Sequence, residues 1–356
     1  MSDTPKLLAE SIRAAADARR PLAIRGSGSK AFYGHALQGE ALDVTGHRGI
    51  ISYEPTELVI TARAGTPLAE IEALMREQGQ MLGFEPPQFG GGGTIGGCIA
   101  AGLSGPRRAY AGSARDFVLG LRLLDGRGTD LSFGGQVMKN VAGYDVSRLA
   151  TGSLGTLGVI LEVSLKVLPL PPAELTLVQE HSQAEALRLM NTWAGKPLPM
   201  TATCHADGKL YLRLAGAQAA VKAAAATLGG ETLAGADVFW RDLRDQRHAF
   251  FAGDSANNLP LWRLSLRSTT AELTLPGTQL IEWGGALRWL RSDADVMSIR
   301  KAARGGEGHA TLFRGGKPGT AVFHPLPAAL MKLHKRVKQA MDPAGILNPG
   351  RMYPDL

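Results

Sequence analysis

Phe89-Gly90-Gly91-Gly92-Gly93-Thr94-Ile95-Gly96-Gly97-Cys98-Ile99-Ala100-Ala101-Gly102-Leu103-Ser104-Gly105 is the stretch from which the rest of the chain is read. Inside a regular element each glycine costs about 0.5–1 kcal/mol relative to alanine, so this density predicts a backbone that turns tightly or approaches something closely. Residues 94–101 have the pattern of a turn becoming a helix start, with bare N–H groups at Gly96 and Gly97 beside the Thr94 hydroxyl. Successive unpaired N–H groups form an anion-binding nest, and a diphosphate is the expected occupant. A flexible linker is the alternative. Linkers are Ser/Gly-rich with polar flanks, whereas Ile95, Ile99 and Leu103 are apolar.

A second glycine loop lies upstream, where a short apolar strand over 22–24 runs into Arg25-Gly26-Ser27-Gly28-Ser29-Lys30. Gly26, Gly28 and Ala31 match G-x-G-x-x-A, with Asp43 downstream, so a Rossmann dinucleotide site is a competing reading. It fails at the next eight residues, because Phe32-Tyr33-Gly34-His35-Ala36-Leu37-Gln38-Gly39 has two glycines and no sustained apolar period for a helix. A Walker A pattern is absent. Two glycine loops, with further turns around Gly112 and Gly158, describe one long ligand held at several places.

At 356 residues the chain is long enough for two domains, and 44% hydrophobic with 20% charged residues is the balance of a soluble globular protein. No apolar run has the length of a bilayer span and the start lacks a signal-peptide layout, so a cytoplasmic location is expected. Cys98 and Cys204 are far apart without metal-ligand spacing; they are read as small buried side chains, and no metal site is indicated. The net charge of +7 comes from scattered arginines and no run interleaves bases with aromatics, which disfavours nucleic acid and favours acidic small molecules or partners. The densest basic group, Arg288, Arg291, Arg300, Lys301 and Arg304, is expected to be a solvated face.

Apolar spacing predicts helices over 7–18, 67–75, 184–193, 219–228, 239–250 and 328–341, and strands over 42–44, 50–52, 58–62, 117–124, 131–133, 159–168, 175–178, 200–204, 210–214, 261–266 and 279–282. Asp125-Gly126-Arg127-Gly128 predicts a hairpin. Glycine loops crowd before the Pro169-Leu170-Pro171-Pro172 cluster and thin out after it, which predicts domains at 1–170 and 171–356.

The order of Arg25-Gly26-Ser27-Gly28-Ser29, the 94–97 run, Tyr110-Ala-Gly-Ser-Ala-Arg-Asp116, residues 139–145 and Gly152-Ser-Leu-Gly-Thr-Leu-Gly158 resembles the vanillyl-alcohol-oxidase or PCMH-type FAD-linked oxidases. Asn348-Pro349-Gly350-Arg351 resembles their C-terminal signature. More narrowly, residues 139–148, Trp283-Gly-Gly-Ala-Leu-Arg-Trp289 and Gly308-His309-Ala310-Thr311 are similar to the FAD-binding subunits of bacterial glycolate oxidases. The resemblance implies an α+β chain: a two-subdomain PCMH-type FAD-binding domain followed by a smaller antiparallel α+β cap. It implies that Arg25, Gly26, Ser27, Gly28, Ser29 and Lys30, with Thr94, Ile95, Gly96 and Gly97, hold the FAD pyrophosphate. Ala101, Gly102, Gly112, Ser113 and Asp116 would line the cofactor, and Gly158, Val159 and Ile160 would meet its adenine or ribitol side. For Lys30 and Arg108 two roles stand open, added charge at the cofactor or simple solvation.

The chain departs from the family in two ways. Many relatives tether flavin through a histidine in the first loop; here Ser27, Ser29 and Lys30 stand there, so noncovalent FAD is expected, with Cys98 a formal alternative tether. Relatives that oxidise 2-hydroxy acids carry an H-G-D-G-N-x-H metal motif that this sequence lacks. The resemblance implies a glycolate oxidase subunit that works with a second, catalytic flavin subunit and an iron–sulfur subunit, peripheral to the inner membrane through them. Lys139, Tyr144, His309 and Arg351 are candidates near the ring or substrate carboxylate. Alternatively Lys139 and Tyr144 brace a loop, His309 caps a strand end and Arg351 pairs with an acid. A self-sufficient dehydrogenase for D-lactate or a similar acid and a scaffold with an empty pocket remain alternatives.

Overall fold

The computed structural model describes residues 4–90, 92–135, 144–252, 259–317 and 319–356. Its elements run α1 (Thr4–Asp17), β1 (Leu22–Arg25), β2 (Glu40–Asp43), β3 (Ile50–Glu54), β4 (Val59–Arg63), α2 (Leu68–Glu77), β5 (Gln80–Met81), α3 (Ile95–Ala101), α4 (Arg108–Ala111) and α5 (Ala114–Phe117). There follow β6 (Val118–Leu124), β7 (Asp130–Gly134), α6 (Val146–Ala150), β8 (Val159–Lys166), β9 (Leu168–Pro169), β10 (Ala173–Glu180), α7 (Gln183–Ala194), β11 (Met200–Ala206), β12 (Lys209–Gly216) and α8 (Gln218–Leu228). The chain ends through β13 (Glu231–Thr232), α9 (Ala236–Arg244), α10 (Ala249–Ala252), β14 (Leu261–Ser265), β15 (Thr278–Glu282), β16 (Leu287–Arg291), α11 (Val296–Gly305), β17 (His309–Arg314) and α12 (Ala328–Met341). The expected α+β class holds.

Two compact units emerge. The first comprises Met1–Leu103, Ser113–Leu170 and Pro325–Leu356; the second comprises Ser104–Gly112 and Pro171–His324. This corrects the expected division into 1–170 and 171–356, because the last 32 residues rejoin the first unit.

The reason is apolar. One face of α1, Leu8, Ala9, Ile12 and Ala15, packs with Leu22, Leu42, Leu124, Val159 and Leu161 and with Ile346 and Leu347 of the tail. Ile12 and Leu347 are fully buried, and each such side chain stabilises by about 1.5–3 kcal/mol relative to exposure. The tail is therefore part of the first unit's core. That unit contains the parallel pair β1–β2 and a five-stranded sheet ordered β3-β4-β8-β6-β7 with antiparallel neighbours. The β6–β7 turn is the expected hairpin. Asp125 Oδ1 accepts the N–H groups of Arg127 at 2.8 Å and Thr129 at 2.9 Å, and Gly128 takes φ +67°.

The second unit is built on an eight-stranded sheet ordered β13-β10-β12-β11-β15-β16-β14-β17. Ala186, Leu187, Met190 and Trp193 of α7 pack with Val221 and Ala224 of α8 against Leu210, Leu212 and Leu214. Ile299 and Ala303 of α11 pack against Trp262, Leu264, Leu290 and Leu312.

The helix expected over 239–250 is two helices. Between them Asp242 O accepts both Arg247 N–H at 2.7 Å and His248 N–H at 3.1 Å, and Gln246 takes φ +55°, which ends regular winding. The expected solvated arginine face is corrected too. Arg288 is fully buried in β16 and gives its guanidinium to the carbonyls of Gly285 (3.2 Å), Ala271 (2.7 Å) and Thr270. Buried Arg300 gives to Ala321 O at 2.6 Å and Phe323 O at 3.1 Å, and Arg291 gives to Phe250 O at 2.6 Å and Phe251 O. These arginines tie loops through carbonyls; only Lys301 and Arg304 are exposed. Burial pushes Arg288 down to about 10.

Candidate cofactor-binding site

The first unit contains a cavity of about 420 Å³, within the ~300–1,000 Å³ usual for small-molecule sites. Its walls come from four distant pieces of chain: β1 and the loop after it, one face of α3 with Thr94, Leu154, and the tail at Asn348 and Arg351.

The two glycine loops meet here. A Cβ on Gly26 would lie 2.8 Å from Thr94 Oγ1, closer than side-chain carbons tolerate, so this contact requires a glycine. Gly28 takes φ +78°, the left-handed conformation that lets successive amides face one way. Among the described residues no protein acceptor takes the N–H groups of Gly26, Ser27, Gly28 or Ser29. That is the arrangement of a nest.

The second loop is only partly as expected. Thr94 is the N-cap of α3 and its Oγ1 accepts Gly97 N–H at a long 3.3 Å. Of the two N–H groups expected to be bare, Gly96 donates to Ala64 O at 2.8 Å, and Gly97 has only the long bond to Thr94; the neighbouring Ile95 donates to Thr66 O at 2.9 Å. This corrects the expected nest at Gly96. A Cβ on Gly96 would lie 2.6 Å from that of Ala64, so this glycine serves close packing of α3 on the chain after β4. A Cβ on Gly97 would meet only Thr94 Oγ1, at 3.2 Å, and Gly97 lines the cavity.

Charge matches the geometry. Among the described residues Arg25, Lys30 and Arg351 line the cavity and no carboxylate does, so an anion entering it meets no like charge. The Lys30 ammonium lies 5.7 Å from the Phe89 ring centre and 3.3 Å from where a Gly93 Cβ would be. Cys98, fully buried behind the loop, has its thiol pushed up to about 11 by burial, with Lys30 opposing the shift. At neutral pH it is a protonated apolar filler.

The tail fixes the first loop. Asn348 Oδ1 accepts Ile24 N–H at 2.8 Å, and its Nδ2 donates to Leu154 O at 2.7 Å. Arg351, buried, donates to Ala31 O at 3.0 Å, Lys30 O at 3.4 Å and His35 O. Burial lowers its pKa. The alternative of an acid partner for Arg351 gives way to three carbonyls: the side chain clamps the loop that carries the nest.

The other expected residues divide. Ala101 lines the large cavity, and Gly158 and Ile160 line an adjoining one of about 70 Å³ that shares Gly26, Gly97 and Asn348 with it. Val159 is fully buried core. Gly102 is the left-handed C-cap of α3, where a Cβ would lie 2.9 Å from Gly152 Cα; it packs there instead of lining a cavity. Ser113 and Asp116 form the capping box of α5, the Asp116 carboxylate accepting Ser113 N–H at 2.8 Å and Oγ–H at 2.7 Å. Neither lines the two cavities, and Gly112 belongs to the second unit.

Of the catalytic candidates, Lys139 lies outside the described residues. Tyr144 is 95% exposed and lines neither cavity. His309 begins β17 in the second unit, where chain crowding, Arg263 and His324 lower its pKa. Among the described candidates only Arg351 reaches the cavity. Ala100, Leu154 and Asn348 line it unanticipated; Asn348 carried a signal, a polar residue in a Pro-Gly turn that takes φ +42°.

Residues 3–134 match the family described as "FAD binding domain". The chain is 51% identical over 356 residues, 99% of each sequence, to the glycolate oxidase subunit GlcE of Escherichia coli (strain K12). It is 31% identical over 187 residues, 51% of this chain and 40% of the other, to the glycolate oxidase subunit GlcD of Bacillus subtilis (strain 168). An alkyldihydroxyacetonephosphate synthase structure matches 97% of this chain and 75% of its own at a TM-score of 0.66 and 14% identity, a likeness of fold. With a full-length relative at this identity, the chain belongs to the PCMH-type FAD-linked oxidases, in the family of the glycolate oxidase subunit GlcE.

Proposed function

We propose that this chain is the FAD-binding subunit of a multi-subunit enzyme that oxidises glycolate to glyoxylate. The observation that carries the reading is full-length similarity to a glycolate oxidase subunit together with a cation-lined cavity whose loop amides at 26–29 have no protein acceptor among the described residues.

Each wall of the cavity has its own task. The amides of Gly26, Ser27, Gly28 and Ser29 donate to the diphosphate, with Gly97 opposite and Arg25 and Lys30 supplying charge. Asn348 and Arg351 hold that loop in place before the ligand arrives, so little ordering is left to oppose binding. Gly158 and Ile160 border the smaller cavity, where the rest of the nucleotide continues. Flavin, when bound, would supply a two-electron carrier for electrons that leave the substrate in the companion subunit. FAD is held noncovalently: the first loop offers Ser27, Ser29 and Lys30 in place of a histidine, and the Cys98 thiol is buried and protonated.

A companion flavin subunit takes the 2-hydroxy acid and polarises its hydroxyl, since the metal-binding motif that does this in catalytic relatives does not occur in this sequence. An iron–sulfur subunit receives the electrons. Among the described residues no helix is long and apolar enough to cross a membrane; attachment to the inner membrane comes through these partners.

The test is an absorption spectrum. The purified chain shows the flavin bands, adding glycolate to it alone does not bleach them, and adding the companion subunit makes them bleach. A colourless chain that takes up no FAD ends the proposal. Efficient glycolate turnover by the chain alone ends the assignment of chemistry to the companion.

A further inference from the structure

Helix α12 buries one side chain, and that side chain is charged: Lys338. An ammonium has three N–H donors, and each of these has an acceptor: Asp342 Oδ2 at 2.7 Å, Leu347 O at 2.7 Å and Thr156 O at 2.8 Å. Buried Asp342 is shared in the same way. Besides the lysine, its carboxylate accepts the N–H groups of Leu347 at 2.7 Å and Ile346 at 3.2 Å. A buried ion pair gives little net stability over apolar side chains of similar volume, so stability alone does not account for this one.

The groups it ties together converge on the nucleotide cavity. The tail runs parallel to β1, with Leu22 N–H donating to Ile346 O at 2.8 Å and Asn348 N–H to Leu22 O at 3.0 Å. That ladder leaves the N–H and carbonyl of Leu347 facing away from β1, and the ion pair takes both. It stands where a further strand would. Thr156 belongs to the turn whose Leu154 lines the cavity and gives its carbonyl to Asn348. Lys338 and Asp342 themselves line neither that cavity nor the smaller one beside it. They reach the ligand only through what they hold.

We propose that Lys338 and Asp342 are positioning residues for FAD: they pin Leu347 against Thr156 and so set Asn348 where its side chain meets both Ile24 and Leu154. The next residue along from Leu347 is the one that bridges the two walls, so a shift of this strand is passed on directly. Without the pair, part of the ordering of the nucleotide loop falls to the binding step, and affinity drops. Lysine suits the place because a compact ammonium can serve three converging acceptors, which the planar fork of arginine cannot.

The experiment titrates the full-length apoprotein with FAD by calorimetry and follows hydrogen exchange over residues 342–351 by mass spectrometry. Lys338→Met combined with Asp342→Asn removes both charges together, so neither is left buried alone. FAD affinity falls about 10-fold and the amides of 346–348 exchange faster. In an Asn348→Ala background the same two changes weaken FAD by about 2-fold or less, because the side chain they position is gone. Lys338→Arg keeps the charge pair, weakens FAD by about 3-fold, and carries the test if the neutral pair does not fold. Met75→Ala, in the core face of α2 and lining neither cavity, lowers the urea midpoint and leaves FAD affinity unchanged, so lost stability is read apart from lost positioning. The inference rests on FAD occupying this cavity: a wild-type chain that takes up no FAD defeats both readings, whereas wild-type uptake with unaltered affinity in the Lys338 variants defeats this one alone. It is equally overturned if those variants weaken FAD to the same extent with and without the Asn348 side chain.

Discussion

Asn348 Oδ1 accepts the Ile24 N–H at 2.8 Å across 324 residues of sequence, so the strand that launches the nucleotide loop is positioned by the end of the chain. The same side chain donates to Leu154 O at 2.7 Å, joining three of the walls of one cavity. Asn348→Ala leaves a half-buried N–H and a buried carbonyl without this partner; the buried carbonyl costs about 1–3 kcal/mol and the N–H less. The expected outcome is a lower urea midpoint with an unchanged slope, together with weaker FAD binding. Asn348→Asp keeps the acceptor for Ile24 but buries a carboxylate against Leu154 O and places a negative charge on the cavity wall, so it weakens FAD binding at least as much as alanine. An alanine variant as stable as wild type with full FAD affinity would contradict this role.

Gly26 sets the distance between the two glycine loops. In Gly26→Ala the new methyl lies 2.8 Å from Thr94 Oγ1. Overpacking of this kind costs about 1–3 kcal/mol, which corresponds to roughly a 10-fold or greater loss of FAD affinity. Thr94→Ala alone removes the α3 cap and costs about 1 kcal/mol of stability. Combined, the two changes are less than additive because the methyl no longer meets the hydroxyl. Isothermal titration of the apo variants with FAD checks the cycle; strict additivity sinks the argument.

The sequence told most where structure is local. The hairpin at 125–128, the cap at Thr94 and the left-handed Gly28 are each specified by residues within a few positions, and they occur where glycine and capping chemistry point. Partners set by distant chain were out of reach. Gly96 N–H is taken by Ala64 O, and Arg288 lies among carbonyls of 270, 271 and 285, because a strand and loops elsewhere bring those acceptors in. The tail's return obeys the same logic: Ile346 and Leu347 look like residues of a turn-rich end until α1 offers them an apolar face. No periodicity in 342–351 encodes that.

Cys98 tests how the flavin is attached. Its thiol is fully buried and pushed up to about 11, so at pH 8 it is protonated and shielded. In the native chain a thiol reagent leaves Cys98 unmodified, and in urea it reacts promptly; peptide mapping distinguishes it from Cys204, which is also buried. Cys98→Ala retains FAD, and acid precipitation of either protein leaves all the flavin in the supernatant. Yellow colour that stays with the precipitated wild-type protein and disappears from the alanine variant would establish a thioether and overturn noncovalent binding.

Asp116 gives a pH signature that separates a structural carboxylate from a cofactor ligand. Burial alone would raise its pKa, but the Ser113 hydroxyl and amide, with Arg115 and Arg148, outweigh that and lower it from the ordinary 3.8. A carboxylate depressed in the folded state adds stability that is fully present above the unfolded value and is lost as pH falls through the lower folded value. Ser113→Ala removes the hydroxyl and leaves the amide donor. Wild type is therefore expected to be more stable than the variant at pH 7, with the gap closing as pH is lowered below 3.8. Urea unfolding at a series of pH values measures it. The carboxylate is exposed, so solvent screens the pair and the gap at neutral pH is small. If Asp116 served only to hold α5, Ser113→Ala would shift this profile and leave the FAD dissociation constant unchanged. A gap that is independent of pH would show that the depressed carboxylate is not what the serine stabilises.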